Sequence, residues 1–581
     1  MSVELGMEVD IWLEGAVRQA AQLCGCEDFS PEIRPSDPRF GDFQANGALQ
    51  YAKKYGRNPR TLAEQIIAHL FERQDIKQNV EISLAGPGFI NFKFRKEFLC
   101  KWLSEHSNAD SLRPRIDSFL GKTIVVDYSS PNSAKRMHVG HLRSMNIGES
   151  ICRLLEFCGA KVIRDNHIGD WGTQFGILIM AIKHENIDLD ALPTGSALAE
   201  IERLYKLGNA MAKESETHLT SARNELVKLQ SGDRENVRIW EKINAISYAE
   251  FEKIYAEFDV KFDYVLGESF YRNEVEAVCK SLEQCGIARL DREALVVFFD
   301  GGRFKDQPFI IRKSDGASNY ATTDLATVEH RMEHFRADEV IYVTDGRQQD
   351  HFQQLFMTVN RWFSARKLAL PKLHHVWFGT ILGEDGKAIK TRDGSPIYLQ
   401  NLVAEAKNRA HRIVSEKNPG LSEGDKSSIA ATVGLSAIRY FDLAQNRTSD
   451  YVFSWENMLS FDGNTAVYLL YAIARIHSIL DRVGAANFVA DALETKEECA
   501  LVRKLMYFPM VLRQAVLDLR PHHLCTYLFE LTGEYSSFYN ANRVLVSDGA
   551  VKNRRLALCR CTLLVLELGL SLLGIATLRK M

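Results

Sequence analysis

The spacing of hydrophobic and polar positions changes character along the chain. In the first part, apolar residues recur at helical intervals in VRQAAQLCG and PRTLAEQIIAHLFER. The segment VEISLAGPGFINFKF, from Val80 to Phe94, instead predicts a strand, a Gly-Pro-Gly turn and a second strand. SNADSLRPRIDSFLG then has the composition of a linker. The pattern predicts a separate N-terminal α+β module over residues 1–112.

A different pattern begins at Lys122. The run TIVVDY is short and β-branched, which is typical of a buried parallel strand. LRSMNIGESICRLLEFCG then has helical spacing up to Gly159, and AKVIRDNHIG is the next strand-like run. This strand–helix–strand order predicts a doubly wound α/β domain with a parallel sheet. We expect ALVVFF, DEVIYVT and HHVWFG to supply further strands of that domain.

Two other regions have a helical pattern. A long charged stretch at about residues 185–285 interrupts the α/β domain and predicts a helical insertion. After ILGEDGKAIKTRDGSP the chain is predicted to be helical to its end. The predicted domains are 1–112, 113–400 with the insertion, 401–459 and 460–581, which suits a chain of 581 residues that is too long for one core.

Composition and charge narrow the class of protein. Apolar residues make up 46% and charged residues 25%, as in ordinary globular proteins. The formal net charge of −3 excludes a protein that holds nucleic acid by its overall charge, although a local basic surface remains compatible with it. The most apolar stretch, near the C-terminus, is interrupted by Arg560 and Glu567. It therefore predicts a buried helix and no membrane anchor.

The cysteines and the N-terminus point to the cytoplasm. The sequence has 11 cysteines, and the close pairs Cys24/Cys26 and Cys559/Cys561 lack the two-residue gap of zinc sites. We expect reduced, mostly buried cysteines and no structural metal. The segment MSVELGMEVDIWLEG has acids where a secretory signal needs basic residues.

The tetrapeptide from His138 to His141 is the first candidate for chemistry. It lies where the strand TIVVDY gives way to a helix, the place where doubly wound folds bind phosphates. The two histidines share a face of the opening helical turn, and Gly140 leaves room for a flat adenine. Short His-x-x-His patterns also occur by chance on surfaces. A zinc site is a weaker interpretation, because no further ligands follow at suitable spacing.

The surrounding residues resemble those of a known family. DYSSPNSAKRMHVGHLRS, NHIGDWGTQFG and DLAQNRTSDYVFSWENMLSF are similar to motifs of the arginyl-tRNA synthetases of bacterial type, which are class I aminoacyl-tRNA synthetases. The resemblance extends from GDFQ and GPGFINF near the N-terminus to FYNANRVL near the C-terminus. It implies a Rossmann-like, HUP-type catalytic domain, an N-terminal module that binds the tRNA elbow, a helical stem-contact region and an all-helical anticodon-binding domain.

The resemblance also implies an arginine pocket. A guanidinium is planar, always charged and rich in donors, so it needs acidic and other oxygen acceptors. The residues that match the family's pocket are Asp127, Ser130, Asn132, Tyr320, Asp324 and Gln348. Tyr320 and Asp324 are one helical turn apart and so share a face. Without the resemblance, Asp324 would be interpreted as a helix cap or a solvated acid.

The ATP site and the reaction follow from the same resemblance. The matching ATP-binding residues are His138, Gly140, His141, Gly169, Asp170 and Gln174, and the catalytic residues are His138, His141, Lys135 and Lys390. The stretch KAIKTR, which contains Lys390, departs from the KMSK motif of class I enzymes, so we expect Lys135 to supply part of the missing charge. The implied reaction joins L-arginine to tRNA(Arg) through arginyl-adenylate, with Mg²⁺-bound ATP as substrate, and releases AMP and pyrophosphate.

RNA contacts are expected in the two flanking domains of what is predicted to be a monomer. The candidate contacts are Phe89, Asn91, Tyr535, Tyr539 and Asn542, together with a surplus of basic residues after Val551. The aromatic residues among them are equally well interpreted as core. Other functions stay open at this point: another class I synthetase, a small-metabolite adenylyltransferase, or a non-catalytic RNA-binding paralogue. The absence of zinc spacing disfavours a cysteine enzyme, and the acidic pocket disfavours a glutamate or glutamine enzyme.

Overall fold

A computed structural model describes residues 8–314, 320–389, 397–484 and 488–581. The chain divides into two compact units. One contains residues 1–117 together with 459–581, and the other contains residues 118–458. The first and last parts of the chain therefore belong to the same unit.

The N-terminal part of the first unit is an antiparallel sheet with helices packed on it. Its elements are α1 (Val9–Leu23), β1 (Ile33–Pro35), β2 (Phe43–Ala45), α2 (Gly47–Tyr55), α3 (Pro59–Glu72), α4 (Gln74–Asn79), β3 (Val80–Ala85), β4 (Phe89–Phe94) and α5 (Lys96–Glu105). The strand order is β1-β2-β4-β3. The predicted strand–turn–strand is confirmed as β3 and β4, which pair from Val80–Phe94 to Ala85–Phe89.

The second unit begins with the predicted strand–helix–strand. Its elements up to residue 314 are β5 (Thr123–Asp127), α6 (Val139–Phe157), β6 (Lys161–Asp165), α7 (Thr173–His184), α8 (Ala197–Glu214), α9 (Glu216–Gln230), α10 (Arg234–Glu257), α11 (Val275–Gln284), β7 (Ala288–Asp291), β8 (Ala294–Val297) and β9 (Phe309–Arg312). Helices α8, α9 and α10 form the insertion and pack on α7 around Phe175, Ile179 and Leu204.

The rest of the second unit completes the sheet and adds a helical region. Its elements are α12 (Tyr320–Glu333), β10 (Glu339–Tyr342), α13 (Gln349–Ala365), β11 (Lys372–His375), β12 (Ile381–Leu382), α14 (Leu399–Lys417), α15 (Glu423–Leu443), β13 (Tyr451–Val452) and α16 (Trp455–Met458). The parallel sheet has the order β11-β10-β5-β6, so the expected doubly wound domain is confirmed. Asp127 is in register with Asp165 on one side and Tyr342 on the other.

The prediction for ALVVFF is right about the strand but wrong about the strands that it pairs with. ALVVFF does form β8, but β8 pairs with β7 and β9 in a separate antiparallel sheet. A short apolar run specifies burial on both faces and does not specify which strand lies beside it. The predicted all-helical C-terminal region also contains the short strand β13, which pairs with β12.

The C-terminal part of the first unit is all-helical. It comprises α17 (Ala466–Asp481), α18 (Lys496–Met506), α19 (Phe508–Leu517), α20 (His522–Ala541) and α21 (Gly549–Leu572). Among the described helices, none is both long and apolar enough to cross a bilayer. Helices α18 and α19 bind the N-terminal sheet: Arg503 forms an ion pair of 2.6 Å with the buried Asp42, and the Tyr507 hydroxyl donates to the Asp42 carbonyl oxygen.

Gly148 fixes how closely α6 approaches the end of β5. A Cβ atom at this position would lie 2.3 Å from Cγ of the buried Tyr128. The Tyr128 hydroxyl donates to Glu149, so the ring cannot move without losing that hydrogen bond. The absence of a Cβ at residue 148 therefore lets α6 pack closely against Tyr128 at the end of β5.

We expect Gly148→Ala to lower the melting temperature, with a loss of about 1–3 kcal/mol from overpacking. Gly424→Ala in α15 is the matched control, because the nearest atom to its Cβ would be Ser422 Oγ at 3.8 Å. That variant should melt at or slightly above the temperature of the unsubstituted protein. Equal melting temperatures for the two variants would show that the Tyr128 contact does not constrain the fold.

Candidate active site

The turn after β5 has an unusual backbone. Ser129, Ser130 and Ala134 all have positive φ angles, of 71°, 43° and 67°. Such conformations are unfavourable for residues other than glycine, and they are concentrated at functional sites. Hydrogen bonds hold the turn in place: Ser144 Oγ accepts from Ser129 N–H, and Asn166 Oδ1 accepts from Ser130 N–H. The turn therefore lies rigidly at the carboxyl edge of the sheet.

The two histidines cap helix α6 reciprocally. His138 is the N-cap residue, and its Nδ1 accepts from the Gly140 N–H at 3.0 Å. The Nδ1 atom of His141 in turn accepts from the His138 N–H at 3.0 Å. Because both Nδ1 atoms act as acceptors, each neutral ring carries its proton on Nε2. The first backbone N–H groups of α6 are bonded within the protein, to the Ile397 carbonyl oxygen, His138 Nδ1 and the His138 carbonyl oxygen, so the two Nε2–H groups are the donors that this helix end offers.

These histidines are donors and not additional positive charges. Burial, followed by the positive charges of Arg347 and Lys135, holds the pKa of His138 below its usual value. Burial and the neighbouring His138 lower the pKa of His141 to about 3. Both rings are therefore neutral at rest, and their predicted role at the phosphates of ATP stays a prediction. Gly140 also leaves room for the His138 ring, which a Cβ at this position would meet at 2.8 Å, and its predicted place beside adenine stays a prediction.

Positive charge near these donors comes from other residues. Lys135 lies just before the histidines, and its Nζ is 5.0 Å from the centroid of the Tyr205 ring. Arg347, which sequence reasoning missed, is largely exposed and acts on His138 from the turn after β10. Lys390 lies outside the described residues, so its predicted role stays a prediction.

The loop after β6 packs against the turn after β5. Gly169 N–H donates to the Pro131 carbonyl oxygen, and a Cβ at Gly169 would lie 2.1 Å from Asn132 Oδ1. Gln174 donates to the Gly169 carbonyl oxygen at 3.2 Å. Gly169 is therefore required for the close approach of the two loops, and its predicted contact with ATP stays a prediction.

Asp170 is corrected from an ATP contact to a structural residue. Its side chain is buried and accepts hydrogen bonds from the Tyr248 hydroxyl at 3.0 Å and from Ser269 Oγ at 2.6 Å. A third bond comes from the Ser269 N–H. With its oxygens bonded inside the protein, Asp170 has nothing to offer a nucleotide.

Helix α12 brings acidic side chains towards the same edge of the sheet. Asp324 accepts a hydrogen bond from His351 Nε2 at 2.6 Å. Burial raises the pKa of Asp324, but the hydrogen bond and the charges of His351, His167 and Arg331 outweigh burial and lower it. Asp324 is therefore an ionised, largely buried carboxylate.

Asp127, one of the acids expected in the arginine pocket, is paired within the protein. Its Oδ2 pairs with the guanidinium of the fully buried Arg331 at 2.6 Å, and its Oδ1 accepts from Ser130 Oγ at 2.9 Å. The same guanidinium binds Asp165 at 2.7 Å. The protein therefore already supplies Asp127 with a guanidinium, and its predicted contact with arginine stays a prediction.

Glu268 is a further acid of the site that no motif indicated. It follows α10 in a short 3-10 turn, Glu268–Tyr271, and its backbone N–H donates to the Ile168 carbonyl oxygen. Burial, opposed by His167 and reinforced by the negative charges of Asp324 and Asp170, raises its pKa to about 7. The negative charge of Asp324 is thus one of the influences that raise the pKa of Glu268.

The other predicted pocket residues lie at element ends around these acids. Asn132 and Gln348 are exposed, and Gln348 occupies the N-cap position of α13 without a capping hydrogen bond from its side chain. Tyr320 is the first residue of α12 and is 71% exposed, so its ring is accessible to a ligand. Ser130 is half-buried, and its hydroxyl is oriented by Asp127.

Several predicted RNA contacts are corrected by burial. Tyr535 is 1% exposed and its hydroxyl faces Cys559 Sγ, so no ring face is open to a base. Asn542 and Asn91 are also buried, and their amides bind Phe538 and Gln44. Phe89 and Tyr539 are partly exposed and stay predictions.

The predicted basic surplus is largely paired within the protein. Arg554 and Arg555 both bind the buried Glu498. Arg475 is a better candidate, because its guanidinium lies 4.8 Å from the Tyr471 ring centroid and 5.2 Å from that of Tyr539. Together with the exposed Tyr471 it forms an aromatic and cationic surface on α17 and α20.

The part of the chain that the structure describes contains no cluster of side chains suited to bind a metal ion. Over residues 8–314, 320–389, 397–484 and 488–581, no group of three or more His, Cys, Asp or Glu side chains is arranged to hold an ion.

Three family models match the chain. They are "tRNA synthetases class I (R), catalytic domain" over residues 109–455, "DALR anticodon binding domain" over residues 469–581, and "Arginyl tRNA synthetase N terminal domain" over residues 13–94. A parallel sheet whose first βα turn carries capping histidines, followed by a helical anticodon-binding domain, defines a class I aminoacyl-tRNA synthetase.

Relatives specify the class further. The arginine–tRNA ligase of Vibrio campbellii is 41% identical over 590 residues, covering 99% of this chain and 100% of that protein. The arginine–tRNA ligase of Idiomarina loihiensis is 42% identical over 564 residues, covering 94% of each. The chain belongs to the arginyl-tRNA synthetase family. It is an arginine–tRNA ligase that attaches arginine to tRNA in an ATP-dependent reaction.

Solved structures agree with this assignment. The arginyl-tRNA synthetase of Plasmodium falciparum superposes with a TM-score of 0.83 at 30% identity, covering 99% of both chains. That of Thermus thermophilus superposes with a TM-score of 0.82 at 25% identity, covering 99% of this chain and 100% of the other. The expected multidomain architecture, with its N-terminal module, parallel-sheet catalytic domain and helical C-terminal domain, is confirmed.

The raised pKa of Glu268 predicts that arginine binding depends on pH. A bound guanidinium favours the ionised carboxylate, so affinity should strengthen as the pH rises through about 7 and then level off. Glu268→Gln should raise the KM for arginine about tenfold and weaken this pH dependence. The measurement is the KM for arginine between about pH 6 and about pH 8.5.

Glu274→Gln is the matched control, because burial also raises the pKa of Glu274 while its charged neighbours are Glu329, His334 and Glu333. This variant should keep the KM of the unsubstituted enzyme and its pH profile. An unaltered KM in Glu268→Gln would remove Glu268 from the pocket.

Proposed function

We propose that the enzyme works in two steps at the carboxyl edge of its parallel sheet. Arginine and Mg²⁺-bound ATP first form arginyl-adenylate and pyrophosphate. The terminal ribose hydroxyl of tRNA(Arg) then takes the arginyl group and AMP leaves. The observation that carries this proposal is the position of two Nε2–H donors, from His138 and His141, beside a separate acidic pocket on the same sheet edge.

The acidic pocket receives the substrate side chain. Asp324 and Glu268 are the carboxylates that accept hydrogen bonds from the guanidinium, and the exposed ring of Tyr320 covers it. Ser130, whose hydroxyl donates to Asp127, keeps its lone pairs for the α-ammonium group. Asn132 and Gln348 hold the polar end of the amino acid.

The phosphate groups of ATP lie at the N-terminus of α6. His138 and His141 donate to phosphate oxygens as neutral groups, which supports the developing charge without the cost of burying two cations. Lys135 and Lys390 supply the positive charge, and Gly140, Gly169 and Gln174 line the nucleotide side. Mg²⁺ enters with ATP as part of the substrate.

No protein nucleophile is required by either step. An oxygen of the arginine carboxylate bonds to the α-phosphorus while the bond from that phosphorus to the bridging oxygen of pyrophosphate breaks. The ribose hydroxyl oxygen then bonds to the arginyl carbonyl carbon, its proton is lost, and AMP departs with the electron pair of the broken bond. The protein contributes positioning and electrostatic stabilisation.

The flanking domains hold the tRNA. We assign residues 1–112 to the tRNA elbow, 401–459 to the stem and 460–581 to the anticodon, with Phe89 as the elbow contact. The surface formed by Tyr471, Arg475 and Tyr539 suits unpaired anticodon bases, which stack on aromatic rings and guanidinium planes. We also propose that the enzyme acts in the cytoplasm as a monomer.

Pyrophosphate exchange with each of the amino acids, with and without tRNA, tests the function. We expect L-arginine to be the one amino acid that supports exchange. Members of this family generally need tRNA for this step, so we expect exchange in the reactions that contain tRNA. Exchange driven by lysine, glutamate or cysteine would contradict the proposed pocket. Exchange without any amino acid would instead indicate a different adenylyl acceptor.

The division of charge between the lysines is tested separately. Lys135→Ala should lower kcat about 10²–10³-fold, the usual effect of removing one group that stabilises a transition state. Lys390→Ala should have a smaller effect, and both should leave the KM for arginine unchanged. Arg409→Ala is a control, since Arg409 pairs with Glu405 on α14. A larger fall for Lys390→Ala would mean that the altered KMSK segment keeps its ordinary role.

A further inference from the structure

Asp324 reaches the arginine pocket with one oxygen already bound. Its Oδ2 is 2.6 Å from His351 Nε2, a short distance for a hydrogen bond between a ring nitrogen and a carboxylate. Among the residues that the structure describes, His351 is the one whose side chain bonds this carboxylate. The Oδ1 atom is therefore the oxygen left for a ligand.

The fold fixes the position of the His351 ring. His351 lies in the first turn of α13, directly after the turn that carries Gln348. Its ring packs between Phe309 of β9, with centroids 5.5 Å apart, and Phe352, with centroids 5.4 Å apart. These two aromatic contacts restrict rotation of the ring away from Asp324.

The electrostatics of the pair favour a strong interaction. Burial lowers the pKa of His351, but the hydrogen bond and the negative charge of Asp324 outweigh burial and raise it. The other charged or titratable groups facing the pair are Glu268, His167 and Arg331 around Asp324, and His375 of β11 near His351. Asp350, on the same helix turn, is bound by Arg303 instead.

We propose that His351 is the positioning residue of the arginine pocket, which holds Oδ2 of Asp324 so that Oδ1 faces the guanidinium of the substrate. The proposal rests on the assignment of Asp324 to that pocket. A carboxylate held in this way contacts the ligand through one oxygen. Such a geometry suits a planar guanidinium, whose N–H groups diverge, better than a compact ammonium.

The experiment compares His351→Leu with His351→Gln. Leucine fills the space without donating, whereas the glutamine amide places an N–H donor near the position of Nε2. Isothermal titration without tRNA gives the Kd for arginine, and competition gives the Ki of agmatine, which has the guanidinium but no carboxylate. Steady-state exchange with tRNA gives kcat and the KM for ATP.

His351→Leu should raise the Kd for arginine and the Ki of agmatine by the same factor, about 10- to 100-fold. This is the effect expected when a hydrogen bond to a charged group is lost. The kcat and the KM for ATP should stay within about threefold, because the phosphate site is untouched. His351→Gln should restore both affinities to within about threefold. The matched control is His477→Leu, which removes a His–carboxylate pair of 2.8 Å with Glu567 in the other unit and should leave the Kd for arginine unchanged.

A double-mutant cycle shows whether His351 acts through Asp324. In an Asp324→Asn background, His351→Leu should cause little further loss of arginine affinity. Additive losses, unchanged affinity in His351→Leu, or equal losses for arginine and ATP without rescue by glutamine would each overturn the positioning role. If the unsubstituted enzyme and the His477→Leu control bind neither arginine nor agmatine, it is the proposed function that fails.

Discussion

The ion pairs of Arg331 determine how the catalytic unit is assembled. The guanidinium is completely buried and joins Asp127 and Asp165, which stand in register at the carboxyl ends of β5 and β6. Two buried carboxylates on adjacent strand ends would repel each other without this partner. Because Arg331 belongs to α12, the same bonds set the position of the helix that carries Tyr320 and Asp324. The fold and the acidic pocket therefore depend on one side chain.

At the N-terminus of α6, the hydrogen-bond donors and the positive charges belong to different side chains. His138 and His141 use Nδ1 to cap the helix, and this fixes their Nε2 atoms as donors. Protonating Nδ1 would break the cap, so the rings stay neutral for a structural reason as well as because of burial. Positive charge at this end of α6 comes instead from side chains such as that of Lys135, which lies against the Tyr205 ring.

Much of the fold was predictable because it depends on local patterns. The βα turn at His138 and the β3–β4 hairpin follow from spacing and turn residues within short segments. The pairing of β8 was not predictable, because an apolar run does not specify which strand lies beside it in the sheet. Burial of Tyr535 was not predictable either, since the face that α20 turns inward is set by α21 and its Cys559.

The site shows the same division. Residues within a motif were found, but the partners that decide their roles lie far along the chain. Asp127 meets Arg331 across 204 positions, and Asp170 meets Ser269 across 99. Glu268 and His351 belong to no spacing pattern, and they become neighbours of Asp324 only when the chain folds. Sequence motifs therefore identified the elements of the site better than the state of each side chain.

The sharing of one unit by the two ends of the chain has a consequence for synthesis. Asp42 emerges early from the ribosome, but Arg503 and Tyr507, which bind it, emerge more than four hundred residues later. The catalytic unit is continuous in sequence, whereas the other unit cannot close until α18 and α19 have been made. Asp42 of the N-terminal sheet therefore lacks its ion-pair partner, Arg503, until translation of the chain is nearly complete.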